Sequence, residues 1–281
     1  MAIRDEVAPV DAAGAGLSAH GRLGWLDVAR GAALLAMAIY HFTFDLAMFG
    51  LIDPATPVTT PWREFARAIA GTFLALVGVG LVIGHGRGVR WRPFWRRFAL
   101  IAGAAGLITA GTLVAARVTG LPDLLIHFGI LHMIAAGSLA GLALVRAPWW
   151  LALLVAALVL AVGLWWTSPS WTSPLLDRPA LWWLGLSAWR PPSVDFVPFF
   201  PAFAAVALGI AAAKLAGLDA ARGPIHEAER PALARVPARA PSRALAWAGR
   251  HSLLVYLAHQ PILIGLLWLA LALTGLVPPP F

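Results

Sequence analysis

Residues 21–50 read GRLGWLDVARGAALLAMAIYHFTFDLAMFG. About 20 apolar residues rising 1.5 Å each suffice to cross a hydrocarbon layer of roughly 30 Å, so this stretch predicts a spanning helix. It nevertheless contains Asp27, Arg30, His41 and Asp45. Each ionisable group inside a bilayer costs several kcal/mol (about 2.5–3.5 on insertion scales) unless paired or hydrated, so the positions of these four are informative. At about 100° per residue, Arg30 and His41 differ by only about 20° around the axis and lie about 16 Å apart along it. Asp45 is about 40° from His41, and Asp27 sits one turn before Arg30. One face of the first helix therefore carries acid, base, imidazole and acid through the membrane thickness.

The rest of the chain has the same character. Of its 281 residues, 60% are hydrophobic and 12% charged, against roughly 25% charged in soluble domains. Mean hydropathy is +0.79, and there are 14 Trp, 13 Phe and only 2 Tyr. There is no Cys, which removes disulfides, thiolate metal sites and Cys nucleophiles. Seven apolar runs, at about 25–49, 63–84, 94–117, 124–145, 148–166, 196–216 and 249–275, predict an all-α polytopic bundle of about seven transmembrane helices. Residues 1–24 lack the apolar core of a signal peptide and read as a cytoplasmic tail. Residues 25–275 then form one transmembrane domain, followed by a tail at 276–281.

Basic residues give the expected orientation. With the amino terminus inside, fifteen of the 21 Lys and Arg fall in cytoplasmic segments and five in outer ones, with Arg30 inside a helix. That bias places the carboxyl terminus outside. Nucleic acid is excluded as a partner despite the net charge of +8, because the Arg residues flank spans instead of building one continuous face. The loop at 217–248 carries five Arg and repeated Pro and is expected to lie on anionic headgroups. The outer loop at 167–195 is rich in Pro and Trp and holds Asp177, Arg178, Arg190 and Asp195. It reads either as an ordered cover over a site or as an interfacial loop floating on its Trp anchors.

The alignment of Arg30 with His41 favours function, whereas Asp27 with Arg30 also fits a snorkelling pair at a helix start. Other candidates to line a cavity are His127, His132, Asp195, His259 and Gln260. On one helix His127 and His132 would point about 140° apart and could not make an i, i+4 metal pair; no metal site is expected. His259 and Gln260 precede Pro261, which removes a backbone donor and loosens the last helix. Asp195 stands where it could cap the sixth helix. Gly80-x-x-x-Gly84 and Gly137-x-x-x-Gly141 predict close helix packing. Phosphate-loop, HExxH and GxSxG signatures are absent.

Four stretches occur in order: LDVARGAALLAMAIYHF at 26–42, IHFGILHMIAAGSL at 126–139, VDFVPFFPAFAAVALGIAA at 194–212 and GRHSLLVYLAHQPILI at 249–264. In these the chain resembles the bacterial heparan-alpha-glucosaminide N-acetyltransferase-like membrane proteins over roughly residues 22–275. The spacing of Arg30 and His41 also resembles the basic residue, ten residues, then His of the acyltransferase-three family. These resemblances imply a helical pore that takes acyl-CoA from the cytoplasm and meets an acceptor near the outer face. Acetyl-CoA would be a co-substrate, not a tightly bound cofactor. Arg30 would then neutralise coenzyme A phosphate or the thioester region, His41 would act as base or acyl carrier, and Asp45 would orient the imidazole. The family's lysosomal member has its proposed catalytic His in the first luminal loop, beyond an Asn on the first helix. Here His41 takes the Asn position and the loop LIDPATPVTTP at 51–61 has no His, so that mechanism does not carry over. Seven spans are also fewer than in either relative, and a homo-oligomer is one way to complete the pore.

The leading expectation is an enzyme of the cell's inner membrane that passes an acetyl group from acyl-CoA to a glycan or other envelope acceptor. The alternative is a small-solute or proton-coupled transporter, since carboxylates and His along one helix also suit a proton relay. No inverted repeat or paired broken helices favour transport. A membrane scaffold would leave the aligned ionisable residues unexplained.

Overall fold

The structure, a computed structural model, describes residues 24–166, 175–189, 191–219 and 239–276. The expected N-terminal tail, the first part of the 167–195 loop with Arg190, most of the 217–248 loop and the end of the C-terminal tail lie outside the described residues. Among the described residues eight helices follow in chain order: α1 Gly24–Met48, α2 Thr60–His85, α3 Trp91–Thr119, α4 Ile130–Val145, α5 Trp149–Trp166, α6 Phe199–Leu215, α7 Ala240–Arg250 and α8 Ser252–Leu273. Among the described residues there is no strand, only one isolated parallel bridge between Phe128 and Phe196.

The described residues are thus all-helical and built for a membrane. Helices α1, α2, α3 and α8 are long and apolar enough to cross one, while α4, α5 and α6 are apolar but shorter. Two expected boundaries are corrected. The fourth run opens as a helix only at Ile130, because Pro122 starts a short 3-10 turn and Gly129 is the extended N-cap. The last run is broken at His251, which has φ −104° and ψ 29°, and α7 precedes the break as a separate helix packed along α1. Local chemistry sets other ends: Pro61 sits in the first turn of α2, where its missing N–H costs nothing, and Gly120 closes α3 at φ 71°, a conformation that favours glycine.

Lipid tails are as apolar as Leu, so close van der Waals approach has to hold these helices together. Glycine makes that approach possible at two crossings. Where α1 meets α7, a Cβ on Gly31 would run into the Leu245 carbonyl and one on Gly249 into the Asp27 carbonyl. Where α2 meets α6, Gly78 faces the Val206 carbonyl and Gly209 the Ala75 carbonyl in the same reciprocal way. Gly137 and Gly141 lie against Val206 and Leu81 as expected. Gly80 and Gly84 differ from expectation: Gly84 faces open space, and the room over Gly80 is taken by the guanidinium ends of Arg30 and Arg97. The core runs between α2, α4 and α6 through Leu74, Val82, Met133, Val206 and Ile210, all at most 1% exposed.

Candidate functional site

Helix α1 carries Arg30 and His41 into two different cavities. Arg30 lies 3.4 Å from Asp27, as the snorkelling pair predicts, and Asp27 is buried. With Arg97 of α3 it borders a small cavity of about 90 Å³, and a Cβ placed on Gly80 would lie 3.5 Å from Arg30 Nη2 and 3.7 Å from Arg97 Nη1. Two guanidiniums therefore converge over one glycine. A second cavity, of about 810 Å³, is lined by Tyr40, His41, Arg67, Trp182, Asp195 and Tyr256 among others. Phe73, Ile130 and Tyr256 line both cavities, so these three side chains separate the basic pocket from the one that holds His41.

The His41 imidazole packs edge-on against Tyr40, at 5.6 Å between centroids, and against His259 of α8, at 4.9 Å. Asp45 was expected to orient His41. Its fully buried carboxyl group instead accepts a hydrogen bond at Oδ1 from Gln260 Nε2 at 2.6 Å. His259 Nδ1 meets the Tyr256 carbonyl oxygen, which anchors that ring to its own helix.

The remaining candidates divide. His127 precedes α4, so the helical angle between it and His132 does not apply; its ring packs edge-on against Trp182, and it lines a separate cleft of about 480 Å³ with Phe128, Trp182 and Trp183. His132 is held by hydrogen bonds at both ring nitrogens: its Nδ1 accepts from the Gly129 N–H at 3.3 Å, and its Nε2 lies 3.3 Å from Thr109 Oγ1. Asp195 does not cap α6, whose N-cap is Pro198. Its Oδ2 accepts from the Ile130 N–H at 3.0 Å and so caps α4, two residues from where Val197 N–H reaches the Phe128 carbonyl at 2.9 Å. The starts of α4 and α6 are thereby stapled side by side at the cavity rim. Burial pushes the Asp195 carboxyl up to about 6, with the Ile130 N–H pulling the other way.

The described part of the 167–195 loop is an ordered cover. Asp177 accepts from Ser187 Oγ at 2.7 Å and the Ala188 N–H at 2.8 Å, and Trp182 Nε1 donates to the Asp177 carbonyl at 3.0 Å. The Ser187 hydroxyl and the Ala188 N–H hold the Asp177 carboxyl below the usual carboxylate range. Trp182 and Trp189 pack at 4.5 Å and both face the larger cavity. No local sequence pattern points to Arg97, Tyr40 or Tyr256 as site residues. Arg97 reads in sequence as one of the cytoplasmic basic residues that set orientation, whereas Tyr40 and Tyr256 are the only two tyrosines in the chain and both line one cavity, a signal that composition offers.

No curated protein and no solved structure shows significant similarity to the chain. The model of the family described as heparan-alpha-glucosaminide N-acetyltransferase, catalytic, matches residues 22–261, which contain α1 to α7, the start of α8 and both cavities. Over that span lie Arg30, His41, Asp45, Asp195, His259 and Gln260. The chain belongs to the heparan-alpha-glucosaminide N-acetyltransferase catalytic-domain family, and its class is that of membrane transferases.

Proposed function

We propose that this protein moves an acetyl group from cytoplasmic acetyl-CoA to a hydroxyl or amine of a glycan or other envelope acceptor, in the cell's inner membrane with its amino terminus inside. The observation that carries this reading is the pair of cavities sharing one wall: a dicationic pocket at Arg30 and Arg97 on one side, and His41 in a roomy, aromatic cavity on the other. Guanidiniums suit coenzyme A phosphates, which they bind by paired N–H donors. The thioester end would reach past Tyr256 to His41.

His41 takes the acceptor proton as the acceptor attacks the thioester carbonyl, or first accepts the acyl group itself. Either way one C–S bond breaks, one C–O or C–N bond forms, and the proton leaves on the coenzyme A thiol. The aromatic cover formed by Trp182 and Trp189 supplies flat apolar faces and a few polar groups of the kind that orient a sugar ring. The transport alternative draws no support from the family match.

The test is acetyl-CoA binding to purified protein in detergent, with transfer assayed in parallel. Arg30→Ala is expected to weaken binding by about tenfold, roughly 1.4 kcal/mol. His41→Ala is expected to bind acetyl-CoA normally and lose transfer by at least about a hundredfold. Absence of binding at millimolar donor would overturn the donor assignment, and normal turnover in His41→Ala would overturn the role of His41.

A further inference from the structure

Beside His41, the buried polar cluster between α1 and α8 has more acceptors than donors. Asp45 is 0% exposed, and its Oδ1 accepts from Gln260 Nε2 at 2.6 Å. Three buried atoms around this contact have no hydrogen-bond partner: Asp45 Oδ2, Gln260 Oε1 and His259 Nε2. His259 Nδ1 faces the Tyr256 carbonyl oxygen, which only an N–H can satisfy, so Nδ1 carries the ring proton and Nε2 is left as an acceptor. Were Asp45 ionised, all three orphaned atoms would be acceptors, in a setting where lipid offers no donor.

What this cluster lacks is a proton. We infer that Asp45 is held as a neutral carboxylic acid paired with the Gln260 carboxamide. In that pair Oδ1 accepts from Nε2, and the hydrogen on Oδ2 is available to Gln260 Oε1; acid and amide match donor for acceptor and acceptor for donor. The pair puts no net charge in the membrane interior and ties α1 to α8 one residue before Pro261, where the helix has lost a backbone bond. Gln260 is thus a positioning residue for the neighbouring His259 and, through that ring, for His41.

The proton count stands on the hydrogen-bond inventory alone; its meaning for catalysis rests on the acyl-transfer reading. A neutral Asp45 provides no charge to stabilise an imidazolium on His41. A proton taken from the acceptor would then be shared between His41 and His259, whose Nε2 is open to receive it.

Infrared difference spectroscopy on the purified full chain at pH 7 tests this without any activity assay. Wild type minus Asp45→Asn is expected to show loss of the carbonyl band of a protonated carboxylic acid, and Gln260→Leu is expected to shift that band to higher frequency as its hydrogen bond is lost. Loss of the paired carboxylate bands in Asp45→Asn would overturn the inference. So would a melting temperature that rises with added Na⁺ or K⁺ in wild type but not in Asp45→Asn, since a metal cation would then fill the cluster. Because these readouts are spectroscopic and thermal, they decide the protonation state even if acetyl transfer itself is disproved.

Discussion

Arg97 and Asp195 show how far a single residue's role depends on what the fold places opposite it. In the sequence Arg97 is one of several basic residues in RPFWRRF, and an interfacial anchor would explain it. In the structure it shares the space over Gly80 with Arg30. We therefore expect Arg97→Ala to weaken acetyl-CoA binding about as much as Arg30→Ala does, by about tenfold, and isothermal titration of the two variants checks it. A cap residue elsewhere in the fold makes the same point. Asp195 precedes α6 in sequence but serves α4, and no local pattern reveals that Ile130 lies across from it. Asp195→Ala is expected to cost about 1 kcal/mol of stability, as loss of a helix cap does. Asp195→Asn keeps an acceptor oxygen and removes the titration. The carboxyl's pKa is raised to about 6 in the fold, so its ionisation opposes folding. Wild-type stability should decline as pH rises from about 4 to about 6, and melting curves of the Asn variant should lack that decline.

At the level of helices, the apolar runs were legible because periodicity and length are properties of contiguous sequence. All seven runs contain helix, and their ends lie within three residues of the helix ends except at the start of the fourth, where the turn from Pro122 to Gly129 intervenes; the last is broken at His251. Which glycines permit close contact was half legible. Gly137 and Gly141 pack as their spacing implies, yet the tightest crossings use Gly31, Gly249, Gly78 and Gly209, each chosen by the carbonyl of a distant helix. Only the three-dimensional crossing reveals those partners. Gly209→Val should separate α2 from α6 and destabilise the fold by about 1–3 kcal/mol, the range for overpacking a tight site. Gly84→Val, which enters open space, is the matched control, and thermal unfolding in one detergent compares them.

Across the whole molecule, the aligned Arg30 and His41 were readable on one helix, whereas their separation into two cavities was not. It depends on Phe73, Ile130 and Tyr256, which come from α2, α4 and α8. The ordered cover over the larger cavity depends in turn on Asp177, whose lowered carboxyl stabilises the loop above the ordinary carboxylate pKa. That contribution is lost as pH falls through the lowered value. The melting temperature of wild type should exceed that of Asp177→Asn at pH 7, and the gap should close below about pH 4. The three-residue partition between the cavities has a further consequence, for the membrane as an electrical insulator. A reaction that joins compartments on opposite faces needs an opening for the acyl chain but none for ions. Because Phe73, Ile130 and Tyr256 line both cavities, the proposed transfer path makes these three side chains the ion barrier, so a vesicle carrying Tyr256→Ala should lose a proton gradient that the wild-type protein preserves.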